Sequence, residues 1–285
     1  MPTHALLHRL LWGSFSWLRV GRSLLLIGLV VYGYLIWLGW FQSERMIFLP
    51  RPSSYQDGEQ ILKLTTSDGL LISAVHLPNP GATYTLLYSH GNAEDLGDIL
   101  PRMLSLQREG FEVLAYDYRG YGTSEGTPSE AGSYLDIEAA YTYLIDQGVS
   151  PERILVYGRS VGGGPSLYLA AKKPVGGLIL ESTFVTAFRV LTRIPLLPFD
   201  RFDNLSRIPK IECPVLILHG TEDGLIPFWH AETLYRAARD PKRLVPIEGA
   251  NHNNLLQVAG ERYYGILHQF VAELVDPYRK ATPSR

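Results

Sequence analysis

The sequence predicts an α/β domain, a mostly parallel sheet covered by helices on both faces, preceded by one apolar segment long enough to cross a membrane. Three observations carry this. Short apolar runs rich in β-formers alternate with longer stretches of helical pattern, which is how right-handed βαβ units read in sequence. Between Ser23 and Ser43 there is no charged residue. At the centre, Ile154-Leu-Val-Tyr157 runs into Gly158-Arg-Ser-Val-Gly162 and then into a helical pattern through Ala171.

The bulk numbers bound the answer. With 285 residues the chain can build one large α/β domain. Its 26 Lys+Arg against 28 Asp+Glu leave no basic excess, so nucleic acid is not an expected partner. A single cysteine, Cys213, excludes an internal disulfide framework; beside Pro214 it reads as a small buried residue.

Residues 1–45 read as an N-terminal membrane anchor, with the span at about 24–41. Eighteen residues at 1.5 Å rise cover roughly 27 Å, close to a hydrocarbon core. Tyr34, Trp37 and Trp40 lie toward its far end, where an aromatic belt sits. A signal peptide is the competing reading, but the run exceeds a usual h-region and no small-x-small site follows it. The stretch Ala5 to Val20, apolar with scattered basic residues, fits an interfacial helix. Arg9, Arg19 and Arg22 before the span, against Arg45 and Arg51 after it, lean toward a cytoplasmic N-terminus and leave the side of the domain open. The expected location is a single-pass membrane protein.

Residues 46–285 then read as the α/β domain. Met46 to Leu49 reads as a short strand. Ile61 to Thr65 and Leu70 to Leu77, around Asp68-Gly69, read as a hairpin. Tyr84 to Tyr88 is a buried strand, Asp95 to Arg108 a helix stopped by Gly110, and Phe111 to Tyr116 the next strand. A helix then opens with Thr127 as N-cap, Pro128 at the first position and Glu130 closing a capping box. Later strands fall at Gly177 to Glu181, Pro214 to Leu218 and Leu244 to Ile247, with helices at about Pro227 to Arg239 and Leu255 to Leu274.

In such sheets ligand chemistry sits beyond the carboxyl ends of the strands. Those loops carry His90-Gly91-Asn92, Asp117, Ser160, Glu181, Asp223 and His252. Gly158 to Gly162 matches G-x-S-x-G, a tight strand-to-helix turn that holds a serine oxygen out of the sheet at a helix N-terminus. The pentapeptide alone is weak; its partners make it a site. Serine needs a base, histidine can accept and return the proton, and a carboxylate on the other ring nitrogen fixes the tautomer. The order Ser160, Asp223, His252 supplies these three. Glu222 and Glu181 compete with Asp223 for the acid, since Glu181 also ends a strand. The backbone N–H groups of Val161 and Asn92 are the expected oxyanion donors. His90 and His219 read as loop-holding groups, and Asp117 as fixing the Arg119–Gly122 loop. His4 and His8 stand four apart near the N-terminus but show no partner pattern, and nothing else resembles a metal site, so no metal or cofactor is expected.

From about Tyr84 to Phe270 the chain resembles the α/β-hydrolase superfamily. The pieces are Ser89-His-Gly-Asn-Ala93, Asp117-Tyr-Arg-Gly-Tyr-Gly122, Tyr157-Gly-Arg-Ser-Val-Gly162, His219-Gly-Thr-Glu-Asp223 and Gly249-Ala-Asn-His252. It looks most like the membrane-associated serine hydrolases of the α/β-hydrolase-domain family, which include protein depalmitoylases. The resemblance implies the α/β-hydrolase fold, Ser160, Asp223 and His252 as triad, and Asn92 and Val161 as oxyanion hole. One departure stands out: those depalmitoylases are tethered through an N-terminal cysteine cluster, and here a hydrophobic span takes its place.

A lid in this fold usually follows the Glu181 strand. Residues 183–212 form a short apolar cap, with Phe184, Phe188, Leu191, Leu196 and Phe199 as substrate-facing candidates. The expected function is a membrane-anchored serine esterase or thioesterase acting on small-molecule or protein-linked acyl esters at the bilayer. A serine aminopeptidase-like enzyme and a non-catalytic hydrolase-like scaffold are the alternatives.

Overall fold

The computed structural model describes residues 17–281, and the chain divides into two compact units, Met1–Ser43 and Glu44–Arg285. Among the described residues of the first, a 25-residue helix, α1 (Trp17–Phe41), has mean hydropathy 2.1 over its most apolar window. At 1.5 Å per residue it is roughly 37 Å long, enough to cross a hydrocarbon core. Its leucines, valines and tryptophans are largely exposed, Leu25 at 64% and Val30 at 71%. The helix absorbs Trp17 to Val20 into the same continuous run; the remainder of the expected interfacial helix lies outside the described residues.

The second unit is built on an eight-stranded sheet: β1 (Leu62–Thr65), β2 (Leu71–Leu77), β3 (Thr85–Ser89), β4 (Glu112–Tyr116), β5 (Ile154–Arg159), β6 (Gly177–Glu181), β7 (Val215–Gly220) and β8 (Lys242–Ile247). The spatial order is β1-β2-β4-β3-β5-β6-β7-β8. β2 pairs antiparallel with both β1 and β4, and every other neighbouring pair is parallel. Successive side chains of each parallel strand enter opposite cores, as a period of two requires. On β5, Ile154 and Val156 join one core, which includes Ile137, Ala140 and Leu234; Leu155 and Tyr157 join the other, with Met103, Leu106 and Phe270. Strands buried on both faces are why the sequence reads as continuous apolar runs.

Helices α3 (Leu96–Arg108), α4 (Glu130–Asp146), α5 (Gly163–Ala170), α7 (Trp229–Ala237) and α9 (Glu261–Phe270) cover the two faces; α2 (Ser43–Ile47), α6 (Asn204–Arg207), α8 (Leu255–Ala259) and α10 (Asp276–Ala281) are short. Asp95 caps α3 by accepting from Gly97 and Asp98 N–H groups, and the Asp98 side chain returns the bond, closing a capping box.

Three expectations need correction. Met46 to Leu49 is not a strand: α2 runs through Ile47, Phe48 is buried at 3%, and the Leu49 N–H goes to side chains, not to a ladder. The N-cap of α4 is Ser129, not Thr127; its Oγ accepts from Gly132 N. Glu130 closes no box there because its carboxylate accepts from Tyr134 Oη and Phe202 N. The last helix is broken at Gly260, where φ is +54°, and widens into a π turn at Val271–Val275 before α10.

Candidate active site

β5 delivers Ser160 into a left-handed backbone conformation, φ +53°. A non-glycine residue held there costs on the order of 1–2 kcal/mol and persists only where the surroundings fix it. They do so here by close packing. A Cβ on Gly158 would lie 2.7 Å from Gly163 Cα, and one on Gly162 would lie 2.7 Å from the His90 carbonyl and strike that of Ser89. Glycines on both sides let the turn press against the end of β3. Thr183 Oγ1 donates to Ser160 O at 2.8 Å from the start of the cap.

Asp223 follows β7 and His252 follows β8. The structure brings both to Ser160. His252 Nε2 lies 3.0 Å from Ser160 Oγ, and His252 Nδ1 lies 2.8 Å from Asp223 Oδ2. The other carboxylate oxygen, Oδ1, accepts from Leu225 N at 3.0 Å and Ile226 N at 2.7 Å. Burial raises the Asp223 pKa, but hydrogen bonds from His219 and His252 and the Ile226 N–H outweigh it and hold the carboxyl well below its usual range. An ionised acceptor on Nδ1 orients the ring with Nε2 free to accept the serine proton. His219 is buried behind this pair; its Nε2 donates to Ile226 O at 2.7 Å and lies 3.4 Å from Asp223 Oδ2. All three side chains are almost covered, Ser160 at 7% and His252 at 8% exposure, so their contacts are shielded from bulk water.

Val161 lies in the 3-10 turn Ser160–Gly162 just before α5, and Asn92 lies on the turn after β3. That turn carries a second strained residue, Ala93 at φ +58°. His90 Nδ1 donates to Gly91 O at 2.7 Å, and the buried ring lies 3.3 Å through Nε2 from Asp117 Oδ1. Asp117 accepts from Leu96 N at 3.0 Å and Tyr55 Oη at 2.5 Å, and its carboxylate packs against Gly122 at the end of the loop it was expected to fix. Asp136 and Asp68 tie the same loop through Arg119.

Sequence reasoning missed Arg159, the residue before the serine. Its guanidinium reaches Glu94 Oε1 at 2.7 Å, Asn253 Oδ1 at 3.1 Å and Glu181 Oε1 at 3.4 Å. Glu94 Oε1 in turn accepts from Gly91 N at 2.5 Å. One side chain therefore links the turn after β3, the strand β5 and the loop after β8. Its position inside the motif was the only signal available. Glu181, the competing acid, is committed elsewhere: Arg102 donates to it at 2.9 Å, and Tyr157 and Tyr263 also donate to it. Burial pushes its pKa up, but Arg102 and Arg159 dominate and hold it at about 2.

The cap candidates divide. Phe184 is core, 4% exposed and edge-on to Phe202. Phe188 and Phe199 meet edge to face across the neck, ring centroids 6.0 Å apart. Asp200 stitches that neck by accepting from Thr186 Oγ1 at 2.6 Å and Phe188 N at 2.8 Å. Beyond it Leu191, Ile194 and Leu196 are exposed, at 79%, 63% and 51%. Grooves of about 420 and 350 Å³ run beside β1 and beside Tyr55 to Ile61, but no triad residue lines either; the site is located by its hydrogen bonds.

Comparison with known proteins identifies the lineage of the chain. Residues 81–197 match the family model described as serine aminopeptidase, S33. Alpha/beta hydrolase domain-containing protein 17B of Homo sapiens is 39% identical over 226 residues, 78% of each chain. Protein 17C of Xenopus laevis is 39% identical over 224 residues, 76% of this chain and 70% of the relative. Among solved structures, an esterase of Pyrococcus furiosus superposes with TM-score 0.67 at 21% identity, covering 80% of this chain and 100% of its own. An esterase of Exiguobacterium antarcticum does so with TM-score 0.58 at 20% identity, over 74% and 99%. At those identities the structures establish the fold, and the closer sequence matches establish the lineage: the chain belongs to the α/β-hydrolase domain-containing family of the α/β-hydrolase superfamily.

Proposed function

We propose that this hydrolase is a membrane-anchored serine esterase or thioesterase acting on acyl or lipid-like substrates. The observation that carries the reading is the continuous relay from Asp223 Oδ2 through His252 to Ser160 Oγ, at 2.8 and 3.0 Å. In the first half-reaction Ser160 Oγ attacks the acyl carbonyl as its proton passes to His252 Nε2. The tetrahedral oxyanion is received by the N–H groups of Val161 and Asn92, each such donor contributing on the order of 3 kcal/mol. Collapse breaks the bond to the alcohol or thiol, which leaves with the proton from His252. Water then repeats the sequence on the acyl-enzyme and releases the carboxylic acid.

The acyl preference is supported by the short cap, whose tip is apolar. The anchor is supported by α1. About ten large apolar side chains left in water would each forgo some 1.5–3 kcal/mol, a sum beyond the stability of a typical domain. A bilayer removes that cost and places the enzyme beside long-chain esters.

A fluorophosphonate probe is expected to label the protein and to fail on Ser160→Ala; equal labelling of the variant rejects the nucleophile. The family description of residues 81–197 favours a second reading, a serine aminopeptidase. Comparing p-nitrophenyl esters of graded chain length with aminoacyl p-nitroanilides separates the two. Preference for the amides overturns the esterase reading.

A further inference from the structure

The segment that leads from the apolar helix into the domain is built into the oxyanion side of the site. Asn92, whose N–H is the proposed oxyanion donor, turns its side chain away from the reaction centre toward residues 47–49. Its Nδ2 donates to Ile47 O at 2.6 Å, and its Oδ1 accepts from Leu49 N at 2.9 Å. The same Oδ1 accepts from Tyr121 Oη at 2.7 Å and from Ala93 N at 3.0 Å, and Leu49 N also reaches Tyr121 Oη at 3.0 Å. Between the two bonded residues, Phe48 is buried at 3% and meets Tyr118, Tyr121 and Phe202 edge to face at 6.4, 6.4 and 5.9 Å. The Tyr118 and Tyr121 rings in turn pack on His90 at 4.4 and 5.5 Å, and Tyr118 Oη donates to His90 O.

A pure tether needs none of this. A linker joining an anchor to a folded domain runs over the surface and is satisfied by water. Here an aromatic residue is wedged behind the turn, and both backbone groups beside it are taken by one side chain of that turn. The turn also contains Ala93 at φ +58°, a conformation that persists only when neighbouring contacts fix it. Asn92 Oδ1 accepts the Ala93 N–H and so clamps the strained peptide directly.

We propose that Asn92 and the Ile47–Leu49 segment form a positioning latch that holds the Asn92 N–H on the developing oxyanion. The inference rests on the serine-hydrolase reading of the site. The latch acts on the transition state: the N–H must meet an oxygen that carries full charge only in the tetrahedral intermediate, so a displaced donor lowers kcat and leaves ground-state binding unchanged.

The test uses the full chain in detergent micelles with p-nitrophenyl butyrate. Asn92→Ala keeps the backbone N–H and removes all four side-chain bonds; kcat is expected to fall about ten- to a hundredfold with KM within about twofold, less than or equal to the loss of a donor outright. Tyr121→Phe keeps the ring packing and removes only the hydroxyl that feeds Asn92 Oδ1 and Leu49 N, so kcat should fall about three- to tenfold. If both act through one latch, the double variant is no slower than Asn92→Ala alone, a non-additivity that a generally weakened fold does not produce. Unchanged kcat in either single variant, a loss confined to KM, or fully multiplicative effects in the double variant overturns the latch. Tyr121→Phe decides the matter if Asn92→Ala does not fold. Turnover that survives Ser160→Ala means that the nucleophile assignment itself has failed. Ser160-dependent turnover with indifferent latch variants refutes only the latch.

Discussion

Asp223→Asn is the sharpest perturbation of the relay because it changes almost no atoms. Asp223 Oδ1 accepts from the Leu225 and Ile226 N–H groups, and Oδ2 accepts from His252 Nδ1 and also faces His219 Nε2 at 3.4 Å. The two backbone donors fix which way an asparagine must sit, with its oxygen toward them and its NH₂ toward His252. Two donors then face each other across 2.8 Å, and the ring escapes by moving its proton to Nε2. Nε2, 3.0 Å from Ser160 Oγ, then donates where it must accept, and the base is lost. The same wrong-tautomer change in serine proteases lowers kcat by about 10⁴, which at 1.36 kcal/mol per decade is about 5.5 kcal/mol. The loop bonds survive, so the fold should too. Steady-state kcat on p-nitrophenyl butyrate, with far-UV circular dichroism as the control for folding, measures the effect. Retention of more than a tenth of wild-type kcat would refute the reasoning. If instead Glu181→Gln removed turnover and Asp223→Asn spared it, the acid would be Glu181. Asp223 is held below the ordinary carboxylate range, so it stays ionised above about pH 4 and contributes no acidic limb to the rate profile there.

Three further outcomes follow from the same contacts. Gly162→Ala should lower Tm by several degrees and strip activity together, since its Cβ would meet the Ser89 and His90 carbonyls at an overpacking cost of about 1–3 kcal/mol; unaltered thermal melting would contradict the packing argument. Arg102→Met removes the nearest cation from the buried Glu181 carboxylate and should cost about 3–5 kcal/mol in urea unfolding at neutral pH. Glu181 is depressed to about 2 from 4.5, so its contribution is full above pH 4.5 and lost as pH falls toward 2. The variant should therefore acid-unfold at higher pH than the wild type; an unchanged midpoint speaks against the pair. Arg159→Lys supplies one point charge where a fork spans Glu94, Glu181 and Asn253, and kcat should fall about tenfold with folding intact. Undiminished kcat would leave Arg159 a purely structural residue.

The legible part of the site was legible for a physical reason. Strands buried on both faces leave continuous apolar runs, and the residues just past each run must gather at one end of a parallel sheet. Ser160, Asp223 and His252 could thus be assigned to one edge from periodicity and order alone, although they lie 92 and 29 residues apart. Local reading failed where a tertiary partner competed with the local pattern. Glu130 suited a capping box but bonds Phe202 N, 72 residues away, and Met46 to Leu49 suited a strand but is captured by Asn92.

By itself, then, the sequence determined the alternation of elements, the apolar helix and the loops that carry the reactive groups, because these depend on spacing along one chain. Only the tertiary structure decided which carboxylate bonds His252, that Arg159 joins the turn after β3 to the loop after β8, and that residues 47–49 close on that turn. Those are directional bonds between side chains far apart in sequence, and their geometry exists only once the two cores have packed the sheet into place.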